Sequence, residues 1–249
     1  MDPLAPLPII EAFGSPGVGK SYTVANLMKV IEPTGMKVQR EPYSLAGSAR
    51  FHRALRKGML LVLQAPGLVR YAMAIATLLR QNAWISRAEM FRAVFNWLVV
   101  ISALRYLRHA PGPVLFGQGV FQAIWSLAFR ARANDSFPLS AWIDLTLTML
   151  PNRDLSVLLV NADAATVALR LETRTNGQSL LGRGREAGAM ARAQRATDDL
   201  AQRIKELAAK GKVRLVEFDN EANGFQEEAM RKLATELGLT SLHMSRDPG

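Results

Sequence analysis

The sequence predicts an α/β fold in which a parallel β-sheet is flanked by helices on both faces. Short apolar stretches alternate with helical patterns along most of the 249 residues, an order that is typical of parallel sheets. One stretch, residues 155–160, is apolar without interruption, as expected for a strand that is buried on both faces. Because 49% of the residues are hydrophobic, the chain can bury the core of one such domain.

The predicted elements follow from the positions of apolar runs and of the Pro and Gly residues that separate them. We expect strands over residues 8–13, 36–41, 114–116, 155–160 and 213–218. We expect helices over residues 22–31, 120–130, 140–150, 164–173, 189–209 and 225–237.

Residues 46–108 predict an all-helical region between the second and third strands. A break at residues 64–67, which contain Pro66, divides this region. The capping-box pattern Ser86-x-x-Glu89 divides it again. We therefore expect at least three helices here.

The segment between the first strand and the first helix carries the most informative motif. Residues 14–21 read Gly-Ser-Pro-Gly-Val-Gly-Lys-Ser and fit the pattern G-x-x-x-x-G-K-[ST] at every fixed position. The glycines let successive backbone N–H groups turn inward around a phosphate, and the helix N-terminus adds the positive end of its dipole. Lys20 is expected to contact the β- and γ-phosphates, and the Ser21 hydroxyl to bind Mg²⁺. The predicted phosphate-binding residues are Gly14, Ser15, Pro16, Gly17, Val18, Gly19, Lys20 and Ser21.

Two further segments resemble those of thymidylate kinases and deoxynucleoside kinases. Arg40-Glu41-Pro42 follows the second strand and is similar to their R-E-P or P-E-P signature. The fourth strand leads through Asp163 to Arg170 and Arg174, which is similar to the segment by which thymidylate kinase-like enzymes enter their lid. The resemblance implies a P-loop NTPase fold with a five-stranded parallel sheet, the loop on its central strand, and ATP and Mg²⁺ as the donor pair.

The resemblance also implies roles for these side chains. A carboxylate at the carboxyl end of a strand faces the ligand crevice of an open α/β sheet. There Glu41 is expected to orient and deprotonate an acceptor hydroxyl, or to hold Mg²⁺ through water, with Arg40 as a substrate-binding residue. Arg170 and Arg174 lie one helical turn apart and are expected to stabilise charge on the transferring phosphoryl group. Arg183 and Arg185 would join them across a glycine-containing lid over residues 170–188, with Arg183 on the triphosphate.

The third strand departs from the pattern. Residues 116–119 read Phe-Gly-Gln-Gly and correspond to the D-Q-G segment of some thymidylate kinase-like proteins, but Gly117 occupies the carboxylate position. Glycine cannot hold Mg²⁺ or its water shell. Either Glu41, Glu11 or Asp163 compensates, or catalysis is weakened. Gln118 is expected to hydrogen-bond a substrate or a Mg²⁺-bound water.

The functional prediction is an ATP-dependent phosphotransferase that moves the γ-phosphoryl group to a small acceptor. The resemblance implies a nucleoside or nucleotide as acceptor. A sugar or secondary metabolite stays open, because residues 43–45 read Tyr-Ser-Leu where thymidylate kinases have G-G. Gly117 leaves open a non-catalytic ATP-binding protein. The net charge of +10 leaves open an ATP-dependent nucleic-acid-binding protein, although no helicase or strand-recognition motif occurs.

The chain is predicted to form one domain over residues 1–240 with a tail over residues 241–249. Within it, residues 46–110 are expected to flank the acceptor, and residues 170–188 to form the lid. No apolar run reaches the length of a membrane span, and the N-terminus does not resemble a secretory signal. The absence of Cys excludes disulfides and thiolate metal sites and fits a cytoplasmic location. ATP or GTP as donor, and a homodimer, stay open.

Overall fold

The parallel sheet flanked by helices is confirmed in a computed structural model. The structure describes residues 8–40, 50–107, 110, 112–131, 137–150, 154–172, 188–220 and 226–239. Its strands are all parallel and follow the order β2-β3-β1-β4-β5. Four of them are three to seven residues long, namely β1 (Ile9–Phe13), β3 (Val114–Phe116), β4 (Leu155–Asn161) and β5 (Arg214–Asp219). The edge strand β2 (Gln39–Arg40) has two residues.

Helices cover both faces of this sheet. A single 3₁₀ turn, Glu32–Thr34, follows the first of them. The helices that the structure describes are α1 (Lys20–Ile31), α2 (Arg50–Val69), α3 (Ala72–Arg80), α4 (Arg87–Tyr106), α5 (Val120–Arg130), α6 (Leu139–Met149), α7 (Ala164–Glu172), α8 (Ala189–Ala209) and α9 (Glu227–Glu236).

The core has two parts, one on each face of the sheet, because successive strand side chains point to opposite faces. Ile10 of β1 faces the smaller part, which α1 and α9 complete. Ile9 and Phe13 face the larger part, which includes residues of α4, α5, α6 and α8. There Trp97 and Trp142 meet edge to face with ring centroids 5.0 Å apart. Such an aromatic pair adds about 1 kcal/mol to the gain from burial.

The structure corrects two boundaries in the first half of the chain. The predicted break at residues 64–67 is wrong, because α2 continues through Pro66 to Val69. The helix packs on α4 along this stretch, where Leu60 and Leu68 are buried and Arg105 Nε donates to Gln64 Oε1 at 3.3 Å. Together these tertiary contacts offset the low helix propensity of Pro66. The second strand is shorter than predicted, since residues 36–38 are not part of a strand.

The helix start predicted at the Ser86-x-x-Glu89 pattern is confirmed. The Ser86 Oγ accepts a hydrogen bond from the Glu89 N–H at 3.1 Å. The Glu89 carboxylate binds Arg130 at 2.6 Å and Arg92 at 2.5 Å. Glu89 therefore connects the start of α4 to the end of α5.

No single helix among the described residues is long and apolar enough to cross a membrane. Residues of α2 and α3 meet the length and composition criteria only as a pair, and the pair is bent by 94° between Val69 and Ala72.

Candidate phosphate-binding site

The loop of residues 14–19 leaves the carboxyl end of the central strand β1 and enters α1, as the motif predicts. It packs so closely on β4 that a Cβ on Gly14 would lie 2.3 Å from the Val160 carbonyl oxygen. Gly19 caps α1 with φ 94°, a left-handed conformation that favours glycine. The two outer glycines of the motif are therefore required by the backbone path itself.

Lys20 and Ser21 are the first two residues of α1. The Lys20 ammonium donates to the Gly14 carbonyl oxygen at 2.7 Å and to the Ser15 carbonyl oxygen at 3.0 Å. The Ser21 side chain is exposed. The first turn of α1 contains no acidic residue, and Gly19 has no side chain that could accept from its N–H groups. A cation and a helix N-terminus thus meet at the loop, which is the arrangement that binds phosphate.

A second group of contacts holds the loop from the side of β4 and β5. The Val18 carbonyl oxygen accepts from Arg170 Nη1 at 3.0 Å and from Asn220 Nδ2 at 2.7 Å. Arg170 Nη2 also donates to the Asn220 carbonyl oxygen at 3.1 Å. The Asn220 N–H donates to the Asn161 carbonyl oxygen at 2.8 Å, which ties this group to the end of β4. We call Arg170 and Asn220 the Val18 clamp.

The clamp has a geometric consequence for the loop. The carbonyl of Val18 and the N–H of Gly19 belong to one trans peptide and point in opposite directions. Because the clamp holds the carbonyl, it also fixes the direction of the Gly19 N–H. A Cβ on Gly19 would lie 2.2 Å from Asn220 Nδ2, so glycine also leaves room for the clamp.

Asn220 is the residue of this site that the sequence analysis missed. It directly follows β5, and the carboxyl ends of parallel strands face the ligand crevice, so its position carried a signal. The signal is weak on its own, because polar residues commonly follow strands. Arg170 was predicted to act on the transferring phosphoryl group, and the structure places its guanidinium against the phosphate loop.

The structure describes only some of the other predicted site residues. Gln118 is exposed in the turn after β3, and β3 is the neighbour of β1, so the turn lies at the same edge of the sheet as the loop. The backbone of Arg40 ends β2. The Arg40 side chain and the residues Glu41, Arg174, Arg183 and Arg185 lie outside the described residues. Of the segment 170–188, which is predicted to form a lid, the structure describes only residues 170–172 and 188. The roles predicted for these residues stay predictions.

Glu11, one of the acids considered in place of Gly117, caps a helix. Its side chain lies in the larger core with 1% exposure. Its Oε1 accepts from the Gln122 N–H at 2.9 Å and its Oε2 from the Phe121 N–H at 3.2 Å, at the start of α5. Burial raises the pKa of this carboxyl to about 7, against the lowering effect of these N–H groups. Glu11 thus joins the strand that carries the loop to the helix that follows residues 117–119.

Asp163 also caps a helix. Its Oδ1 accepts from the Thr166 N–H at 2.8 Å and its Oδ2 from the Thr166 hydroxyl at 2.6 Å. These hydrogen bonds lower the pKa of Asp163. In the part of the chain that the structure describes, no three His, Asp or Glu side chains gather into a group that could hold a metal ion.

Neither a family model nor a curated protein matches the chain. Solved structures, in contrast, match the chain. The structure of deoxyadenosine kinase from M. mycoides, with the products dCMP and a flexible dCDP bound, matches with a TM-score of 0.51 and 13% identity, over 93% of this chain and 98% of that one. Thymidylate kinase from Candida albicans matches with a TM-score of 0.47 and 13% identity, over 95% of this chain and 93% of that one. The first of these matches shows that the chain shares the fold of that deoxyadenosine kinase, in agreement with the kinase-like P-loop fold that the sequence predicted.

Proposed function

We propose that the chain is an ATP-dependent phosphotransferase that transfers the γ-phosphoryl group to a nucleoside or nucleotide. The observation that carries the proposal is the phosphate loop itself. Lys20 donates to a carbonyl oxygen of this loop, and the Val18 clamp binds another. The fold, which is that of a solved deoxyadenosine kinase, supports the proposal. The acceptor class comes from the resemblance of residues 40–42 to the R-E-P signature.

The groups at the loop make different contacts with the nucleotide that donates the phosphoryl group. Lys20 and the loop N–H groups bind the β- and γ-phosphates, and the positive end of the α1 dipole favours their charge. Arg170 holds the loop and adds a positive charge beside the phosphates. Since phosphoryl transfer needs mainly positioning and charge neutralisation, these contacts would supply much of the catalysis.

The donor set at the loop fits Mg²⁺. This ion takes oxygen ligands and is usually held by few protein groups together with substrate phosphates and water. The exposed Ser21 hydroxyl, with no acidic cluster nearby among the described residues, fits that mode. When bound, Mg²⁺ would neutralise charge on the phosphate oxygens.

On the acceptor side we assign Glu41 as the base and Arg40 and Gln118 as substrate-binding residues. Arg174 and Arg183 would close over the triphosphate. A sugar or secondary metabolite is the alternative acceptor.

A second candidate function is non-catalytic ATP binding. Gly117 favours it, because the position that carries an acid in the resembled segment has no side chain. The capping bonds of Glu11 and Asp163 favour it further, since both acids already serve helices α5 and α7.

The two candidates are separated by measuring ATP binding and acceptor-dependent ADP release with a panel of nucleosides, nucleotides and sugars. ADP release that depends on one acceptor class, and that the Lys20→Ala variant loses, supports the phosphotransferase. ATP binding without turnover, unchanged by Gly117→Asp, selects the non-catalytic protein. Absence of ATP binding contradicts both.

A further inference from the structure

Helices α2 and α3 expose an apolar stripe. On α2, the buried residues Leu60 and Leu68 mark the face toward α4. At 100° per residue, the exposed apolar residues of α2 fall on the opposite face. Six of the eleven exposed large hydrophobic side chains in the described residues belong to this stripe, with exposures of 56–79%. They are Leu55, Met59, Val62, Leu63, Val69 and Met73.

An apolar stripe of this extent needs an explanation. An amphipathic helix normally buries its apolar face, whereas α2 turns polar residues such as Lys57 and Gln64 toward α4 and exposes its apolar stripe. Single exposed apolar residues are ordinary on a protein surface, but a contiguous set marks a place where another surface docks. The stripe continues across the 94° bend, from Val69 at the end of α2 to Met73 in α3.

The charge of the same segment indicates what docks there. Residues 50–80 contain no Asp or Glu, and the acid-free stretch extends from residue 42 to residue 88. Arg56 is exposed and borders the stripe on the helical wheel of α2. Arg70 is exposed in the bend between α2 and α3, beside Val69 and Met73 of the stripe, with its guanidinium over the Tyr71 ring. Six basic residues of this segment account for +6 of the net charge of +10, namely Arg50, Arg53, Arg56, Lys57, Arg70 and Arg80.

We propose that α2 and α3 dock the protein on the surface of an anionic lipid bilayer. An apolar stripe bordered by cations is the composition of helices that lie in the plane of a membrane interface. The stripe would enter the boundary between headgroups and acyl chains, while Arg56 and Arg70 contact lipid phosphates.

Two other occupants fit the surface less well. In a symmetric dimer the same patch meets itself, so the acid-free segments of both copies would bring like charges together. A nucleic acid would satisfy the cations but not the stripe, which contains no aromatic side chain on which a base could stack.

The experiment is flotation of the full chain with vesicles of pure phosphatidylcholine and with vesicles in which about one third of the lipid is phosphatidylserine. We expect binding to the anionic vesicles that weakens as salt screens the charges. The variant Val62→Ser/Val69→Ser/Met73→Ser should weaken it at least about tenfold. Arg56→Gln and Arg70→Gln should each weaken it about fivefold.

Matched controls come from α8. Met190 is 54% exposed and Arg195 is exposed, so Met190→Ser and Arg195→Gln remove similar groups elsewhere and should leave vesicle binding unchanged. Circular dichroism checks that each variant is folded. Hydrogen exchange of the unchanged protein provides a second measurement, in which anionic vesicles should protect the amides of residues 54–80.

Three results would overturn the proposal. The first is an absence of binding to anionic vesicles at low salt. The second is vesicle binding that the stripe variant and the α8 controls reduce equally. The third is a dimer that the stripe variant dissociates while the unchanged chain ignores vesicles, which would assign the stripe to a second copy.

Discussion

At the carboxyl end of β1 the stabilising side chains are hydrogen-bond donors, whereas beside the neighbouring strand β3 the stabilising side chain is a hydrogen-bond acceptor. At β1, the donors of Arg170 and Asn220 bind a carbonyl oxygen of the loop. Beside β3, a buried carboxylate, Glu11, accepts from backbone N–H groups at the start of α5. Burial raises the pKa of the Glu11 carboxyl to about 7, so the charge at the second of these sites depends on pH in the physiological range.

The difference matters because the two ends are expected to serve one reaction. The β1 end carries a complete phosphate-binding motif, and the β3 end carries Gly117 where an acid is expected. We infer that the first end serves phosphate binding, and that the contribution of Glu11 to stability at the second end depends on pH. Substitutions at each end separate the two contributions.

The largest expected effect is that of Lys20→Ala at the β1 end. Removing the ammonium from the phosphate loop should lower turnover by about 10³-fold, because its charge is needed most in the transition state. Steady-state kinetics with the identified acceptor measure the loss. Lys29→Ala, at the other end of α1, is the control for an altered charge on this helix. Turnover within a few-fold of the unchanged enzyme would contradict the role of Lys20.

Glu11→Gln tests the β3 end through stability. The native pKa of about 7 lies above the ordinary value of 4.5, so between these pH values the native state holds a proton that the unfolded chain has released. The stabilisation from this group is therefore complete below pH 4.5 and is lost as the pH rises through 7. The difference corresponds to about 3 kcal/mol, or about 6–12 °C in Tm for a chain of this size.

Thermal unfolding of Glu11→Gln and of the unchanged chain from pH 5 to pH 8 measures this contribution. The unchanged chain should lose stability relative to the variant as pH rises. Asp163→Asn is a useful contrast, because the pKa of Asp163 is lowered and its contribution is lost only as pH falls. Parallel curves for Glu11→Gln and the unchanged chain would show that Glu11 is not protonated in the native state.

Much of the fold could be predicted because its signals are local. The bounds of β3, α5 and α8 agree with prediction, since a Gly or Pro residue directly precedes each apolar or amphipathic run. The break predicted at Pro66 was wrong because α4, which is distant in sequence, packs on that turn through Arg105. Asn220 was missed because its role depends on the strand order, which places the end of β5 near the loop and cannot be read from residue patterns. The capping bonds of Glu11 depend on the same order.

The variant Glu41→Gln tests the predicted role of Glu41 as the general base. The variant should lower turnover by about 10²-fold, as loss of a general base does, and leave ATP affinity unchanged. Kinetics and calorimetry with ATP separate the two effects. If ATP affinity falls together with turnover, Glu41 holds the metal or the fold, and the base must be sought elsewhere.

The smallest effect is expected for the Val18 clamp. Arg170→Ala removes a charged donor from the Val18 carbonyl and should raise the Kd for ATP about tenfold, whereas Asn220→Ala removes a neutral donor and should raise it about threefold. Calorimetry on both variants and on the double variant measures their coupling. Because both side chains hold one carbonyl, the double variant should deviate from additivity.

Arg231→Ala, on the exposed face of α9, is the control. Additive effects would mean that Arg170 and Asn220 act on the loop independently, and an unchanged Kd in both single variants would mean that the loop keeps its shape without them.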